Sequence, residues 1–121
     1  MNNSVVDFIK RRFPLTSTSS WINKNCFYFA MILKERFNGI IIYETYSNRF
    51  MVMINGYLYD ANGVCYKLSK RELDLFSRNT EIDLEFDLHI INWDAYIKRD
   101  SVQKEEIFQE YINWIRVIIK G

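Results

Sequence analysis

Proline occurs once in this chain of 121 residues, and glycine only four times. Such scarcity excludes a collagen-like or Pro/Gly-rich linker protein and leaves long stretches free to form regular structure. Cysteine occurs twice, as Cys26 and Cys65, and histidine once, as His89. Two thiols are too few for a disulfide scaffold, and a bridge between them is not expected. One histidine without a CxxC pair leaves no metal-ligand set, so neither metal nor cofactor is expected. Charge is nearly balanced, with 16 basic against 15 acidic residues and a net charge of +1, so the global field selects no partner. No apolar run reaches the length of a transmembrane helix. The N-terminal apolar stretch of Val5, Val6, Phe8 and Ile9 is short, and the basic Lys10-Arg11-Arg12 follows it instead of preceding it. That is the wrong order for a secretory leader, so the expectation is a cytoplasmic protein that does not enter a membrane.

What is abundant is apolar and aromatic surface, at 49% and 17% of residues. Disorder is thereby excluded, and a single α+β domain over 1–121 with an aromatic core is predicted. A first helix ends at Phe13-Pro14, because the residue before proline is steered out of helical geometry. Residues 16–20 read as a polar loop. A second helix runs from about 25 to 37, capped by Asn23 or Asn25 and stopped by Asn38-Gly39. Its buried face holds Cys26, Phe29, Ala30, Leu33 and Phe37, broadened by Tyr28 and Ile32. Strands follow over 40–46, 49–54 and 57–61, the last two joined by Asn55-Gly56, a hairpin signal because both residues accept positive φ. A turn at Asn62-Gly63 leads into 64–68, and Ser69-Lys70-Arg71-Glu72 has capping-box spacing. The alternation over 81–91 predicts one half-buried strand, with Ile82, Leu84, Phe86, Leu88 and Ile90 on its apolar side. A helical turn over 93–97 and a final helix from about 100 to 120 complete the chain. The architecture expected is an antiparallel sheet of four or five strands packed by the Cys26 helix and the C-terminal helix.

Three residues form a constellation with chemical meaning. Cys26 sits at a helix start, where free N–H groups and the helix dipole favour a thiolate, although a lone cysteine on an apolar helix face is more often core. In the Asn55-Gly56 hairpin, residues directly opposite share a face, so Arg49, Met51, Met53, Leu58, Asp60 and Asn62 lie on one side. Arg49 and Asp60 are diagonal neighbours there, within ion-pair reach. A helix-start cysteine, a residue opening a strand and a carboxylate on the next strand follow the chain order of a papain-like Cys–His–Asn/Asp triad.

The residues Trp21-Ile22-Asn23-Lys24-Asn25-Cys26-Phe27-Tyr28-Phe29-Ala30, Arg36-Phe37, Ile42-Tyr43, Arg49-Phe50-Met51 and Tyr57-Leu58-Tyr59-Asp60-Ala61-Asn62-Gly63 resemble small papain-like proteins of phages and prophages of low-GC bacteria. Asn92-Trp93-Asp94-Ala95-Tyr96 is similar to a downstream element of the same family, so the resemblance spans roughly residues 20–97. It implies a papain-like fold, with Cys26 at the nucleophile position, Asp60 at the orienting position and Arg49 where the family has histidine. Arginine stays protonated and cannot accept the thiol proton. It can lower the thiol pKa as a fixed charge, or form an ion pair with Asp60 that stabilises a former site. The expectation is a degenerate papain-like domain that binds a host protein in the host-cell cytoplasm, for instance as an inhibitor of a bacterial defence system. The alternative is an active cysteine hydrolase or acyl transferase using Cys26.

A further reading rests on Glu81, Asp83, Glu85 and Asp87. On one strand their carboxylates form a row at about 6.5–7 Å spacing, which can mimic a nucleic-acid backbone toward a basic partner or serve only to keep an edge strand soluble. The basic clusters Lys10-Arg11-Arg12 and Lys67/Lys70/Arg71 lack interleaved aromatics and argue against binding nucleic acid directly. His89 falls on the polar side of that strand as a surface residue. Trp21, Tyr46 and Trp93 serve as interface anchors where exposed and as core where buried.

Overall fold

The computed structural model describes residues 3–14, 26–99 and 109. Along the chain these form α1 (Asn3–Arg12), α2 (Cys26–Phe37), β1 (Ile40–Glu44), β2 (Arg49–Ile54), β3 (Tyr57–Asp60), β4 (Gly63–Lys67), α3 (Lys70–Arg78), β5 (Glu81–Asp83), β6 (His89–Asn92) and α4 (Trp93–Arg99). The α+β class holds. The loop over 16–20, the caps Asn23 and Asn25, Trp21 and the expected C-terminal helix lie outside the described residues.

Local chemistry sets the element ends. Phe13 N–H still donates to Ile9 O at 2.8 Å, and Pro14 allows no further turn. Asn38 at φ 56° stops α2. The β1–β2 turn is organised by Glu44, whose buried carboxylate accepts from Tyr46 N–H at 2.6 Å, from Ser47 N–H at 3.0 Å and from the Ser47 hydroxyl. Asn55 and Gly56 both take positive φ, 53° and 83°, as the two-residue hairpin requires. At the next turn Asp60 Oδ1 accepts from Asn62 N–H at 2.8 Å. Ser69 and Glu72 form a reciprocal capping box at the start of α3.

The strands make one antiparallel sheet in the order β4-β3-β2-β1-β6-β5. Six strands are present where four or five were expected, and the extra one comes from residues 81–91. These do not run as a single strand. They fold back as a hairpin in which Ile82 pairs with Ile90 and Asp83 with His89. Leu84 N–H donates to Leu88 O at 2.7 Å, and Asp87 adopts φ 57° at the turn. The alternation survived because Ile82, Leu84, Leu88 and Ile90 all reach the same core, whichever arm they occupy. Phe86 does not; it sits at the loop tip, 72% exposed.

The sheet divides two apolar layers. On one face α1 and α2 cover Ile41, Phe50, Val52, Ile54, Tyr59 and Ile91. On the other, α3 covers Ile42, Met51, Met53, Leu58 and Ile90 with Phe76. The sheet also curls, which brings its two ends of strand order together at Glu72. That buried carboxylate accepts from Tyr66 Oη on β4 at 2.8 Å, from Glu85 N–H beside β5 at 3.1 Å and from Ser69 N–H at 2.8 Å. Burial pushes the Glu72 pKa up, but these hydrogen bonds outweigh it and hold the carboxyl below its ordinary value. The Tyr66 phenol is pushed up to about 12 by burial of its hydroxyl and by its bond to Glu72, so it remains a donor.

Candidate functional site

The turn after β1, the start of β2 and the end of β3 meet at one end of the sheet. The two-residue loop after Ile54 makes Ile54 and Tyr57 a bonded pair, so Val52 and Phe50 also aim their N–H groups at β3. Pairing with β3 stops at Val52 and Tyr59, because Asp60 and Asn62 begin a turn there. The β2–β3 register runs from Ile54 to Val52 and does not include Phe50. Cys26 reaches this point from the first turn of α2: its Sγ accepts from Phe50 N–H at 3.4 Å. The thiol is thereby tied to the sheet backbone by a weak sulfur hydrogen bond.

Around it lies an aromatic shell. Phe27 meets Phe50 edge-on with ring centroids 4.8 Å apart, and Phe50 meets Trp93 at 5.0 Å. Tyr43 lies 4.9 Å from Phe50 and 5.2 Å from Trp93, and Tyr96 stacks on Trp93 at 6.0 Å. Such pairs add about 0.5–1.5 kcal/mol each beyond the area they bury. Trp93 is therefore core, next to the thiol, and not an exposed anchor. Its indole Nε1–H is buried without a hydrogen-bond partner among the described residues.

Cys26 is 7% exposed. Burial raises its pKa above the ordinary value, and this outweighs the opposing pull of the Phe50, Phe27 and Cys26 backbone N–H groups and of the Arg49 charge. The helix-start position therefore does not produce a thiolate here, because an apolar environment dominates it.

Arg49 and Asp60 do come together, with Nη1 3.6 Å from Oδ2 and both side chains mostly buried. Arg49 Nε also donates to Ser47 Oγ at 3.0 Å. Asp60 is thus committed twice, to Arg49 and to Asn62 N–H. Strand alternation roots Arg49 and Asp60 on the α3 face with Met51, Met53 and Leu58, whereas Cys26 packs on the α2 face with Phe50. No hydrogen bond joins Cys26 to Arg49 or Asp60 among the described residues. The structure joins the pair; the thiol packs in the α2-side cluster, and the Arg49 charge still reaches it.

Both cysteines are free. Cys65 is the extra residue of a β-bulge, since Leu58 pairs with Tyr66 and Tyr59 with Val64, and its Sγ donates to Leu58 O at 3.3 Å. His89 joins the acidic hairpin instead of the thiol: Nδ1 lies 2.7 Å from Asp83 Oδ1 and Nε2 lies 3.7 Å from Glu81 Oε2. The expected carboxylate row does not form. Glu81 and Asp83 lie on β5, while Glu85 and Asp87 fall in the loop after it, where the positive φ of Asp87 turns the chain back. No group of His, Cys, Asp or Glu among the described residues could hold a metal ion. No helix of the described residues is long and apolar enough to cross a membrane.

Sequence reasoning missed the role of Glu44 and Glu72, both buried carboxylates that organise turns around them. The capping-box spacing pointed to Glu72; nothing in the sequence marked Glu44. Tyr46, offered by the sequence as an interface anchor where exposed, is 70% exposed on the β1–β2 turn, whereas nothing in the sequence marked Phe86 as exposed. Thr45 N–H donates to His89 O at 3.0 Å, so that turn lies beside the β5–β6 hairpin, at the same end of the sheet as Arg49. No protein-family model matches this chain, and no curated protein or solved structure matches it.

Proposed function

We propose that the chain is a degenerate papain-like domain of phage origin that acts by binding a host protein, as an inhibitor of a bacterial defence system does. The observation that carries the loss of catalysis is the pairing of Arg49 with Asp60. The residue at the position of the base is a permanent cation, already committed to the carboxylate meant to orient it. A neutral, buried Cys26 held by Phe50 N–H fits the same reading. Phage origin and the defence target follow from the resemblance of residues 20–97. A role in binding draws on Tyr46 and Phe86, two large exposed aromatics on neighbouring loops, a residue type enriched at interface centres.

The test is phage growth in a low-GC bacterium that carries defined defence systems and expresses the chain. The reading expects plaque formation to be restored against one system, and restored equally by the Cys26→Ala variant. Loss of the effect in Cys26→Ala, with the protein still folded, contradicts it and favours a hydrolase or acyl transferase.

A further inference from the structure

A cleft of about 340 Å³ opens on the α3 side of the sheet, away from Cys26. Its apolar wall is Ile40, Met53, Leu73, Phe76 and Ala95, and its polar wall includes Arg78, Asn79, Thr80 and Asn92. The chain has nearly equal numbers of acidic and basic residues, yet no carboxylate is among the described residues that line this cleft. The polar wall instead supplies donors. Asn92 Oδ1 accepts from Ala95 N–H at 3.1 Å, which fixes the amide orientation and leaves its NH₂ group without a protein acceptor among the described residues. The Thr80 hydroxyl is buried and has no hydrogen-bond partner among them, a costly state for a polar group. Arg78 spends one nitrogen on Asp74 Oδ2 at 2.8 Å, on the exposed side of α3, and has further N–H groups to offer. One cation and several uncommitted donors above an apolar floor complement a single negative head group on an apolar chain. At about 30 Å³ per water-sized group the space holds on the order of ten heavy atoms.

We propose that this cleft binds a small amphiphilic anion, a carboxylate carried on a short unbranched apolar chain. The chain lies along Leu73, Phe76 and Met53, and the carboxylate takes hydrogen bonds from Arg78, the Asn92 amide and the Thr80 hydroxyl after a turn about χ1. This site is independent of the protein-binding reading and of the thiol.

The experiment is a two-dimensional amide NMR titration of the whole chain with butanoate, hexanoate and octanoate, set against hexylammonium and hexanol. The proposal expects saturable shifts at Leu73, Thr80 and Asn92 with hexanoate, and weaker or no binding of the cation and the alcohol. Arg78→Ala, a surface change that leaves the fold intact, weakens hexanoate binding roughly tenfold or more. Ala95→Phe, which fills the cleft, abolishes it; Ala95→Ser, which leaves the cleft open, retains it. Absence of saturable shifts with all three carboxylates overturns the proposal. So does hexylammonium binding as tightly as hexanoate, or Arg78→Ala binding hexanoate as the parent does.

Discussion

Removing the Glu72 carboxylate should loosen the curl of the sheet, and the size of the effect follows from its partners. Glu72 accepts three hydrogen bonds, from Tyr66 Oη, Glu85 N–H and Ser69 N–H, while being 4% exposed. A hydrogen bond to a charged group is worth about 1.5–3 kcal/mol. Ser69 and Glu85 are exposed residues, so water can replace part of what their N–H groups lose. Tyr66 is only half-exposed and recovers less. Glu72→Ala should therefore cost about 3 kcal/mol, which at a urea slope of about 2 kcal/mol/M lowers the midpoint by about 1.5 M. Glu72→Gln should cost roughly 2 kcal/mol, because its NH₂ group must face donors on one side. The sign with pH is fixed as well. The folded pKa is depressed, so the stabilisation is complete above the unfolded value near 4.5 and is lost as pH falls through the folded one. The parent should lose stability over that acid window, and Glu72→Gln should lose less. A double-mutant cycle with Tyr66→Phe should return a coupling near 1 kcal/mol. Asp74→Ala, an exposed control, should change stability by less than about 0.5 kcal/mol. If Glu72→Ala unfolds within about 0.5 kcal/mol of the parent, the bridge between the two ends of strand order is not what the hydrogen bonds indicate.

Three further outcomes are expected. A Cβ on Gly39 would lie 2.7 Å from Val52 Cγ2 and 3.0 Å from Met53 O, so Gly39→Ala should cost about 1–3 kcal/mol by denaturant titration. Arg49→His should slow Cys26 alkylation modestly near neutral pH, because a largely neutral imidazole removes the fixed charge that pulls the thiol pKa down; acceleration would show that the new imidazole reaches the thiol as a base. Tyr46→Ser and Phe86→Ser should each change stability by less than about 0.5 kcal/mol, since both rings are exposed. Their combination should abolish the rescue of phage growth while Cys26→Ala preserves it, and unchanged rescue would move the binding surface elsewhere.

Much of the fold was legible because its signals are local. Asn55-Gly56, Asn38, Pro14 and the Ser69–Glu72 box each dictate geometry within a few residues, and the structure has every one of them in place. Hairpin arithmetic from Asn55-Gly56 also put Arg49 beside Asp60 correctly, because a two-residue loop fixes register. The failure at 81–91 has a physical cause. Strict alternation reports which residues share a face, and a hairpin whose two arms face one core keeps the same pattern as a single strand. Only Asp87, one of the few residue types that tolerates positive φ, hinted at the turn. The burial of Cys26 was legible from its place on an apolar helix face, and the structure makes it core. What was not legible is why burial overrides the helix-start position: Phe50 and Trp93, brought from β2 and α4, close the shell that Phe27 begins.

The state of Cys26 is the claim on which the account rests, and its alkylation rate against pH in a Cys65→Ser background tests it most directly. The account predicts slow labelling with a midpoint above about 8.5, the ordinary value for a free thiol, and fast labelling only on unfolding. Fast labelling of the folded protein with a midpoint well below that value would contradict it, and would establish an accessible thiolate at the head of α2.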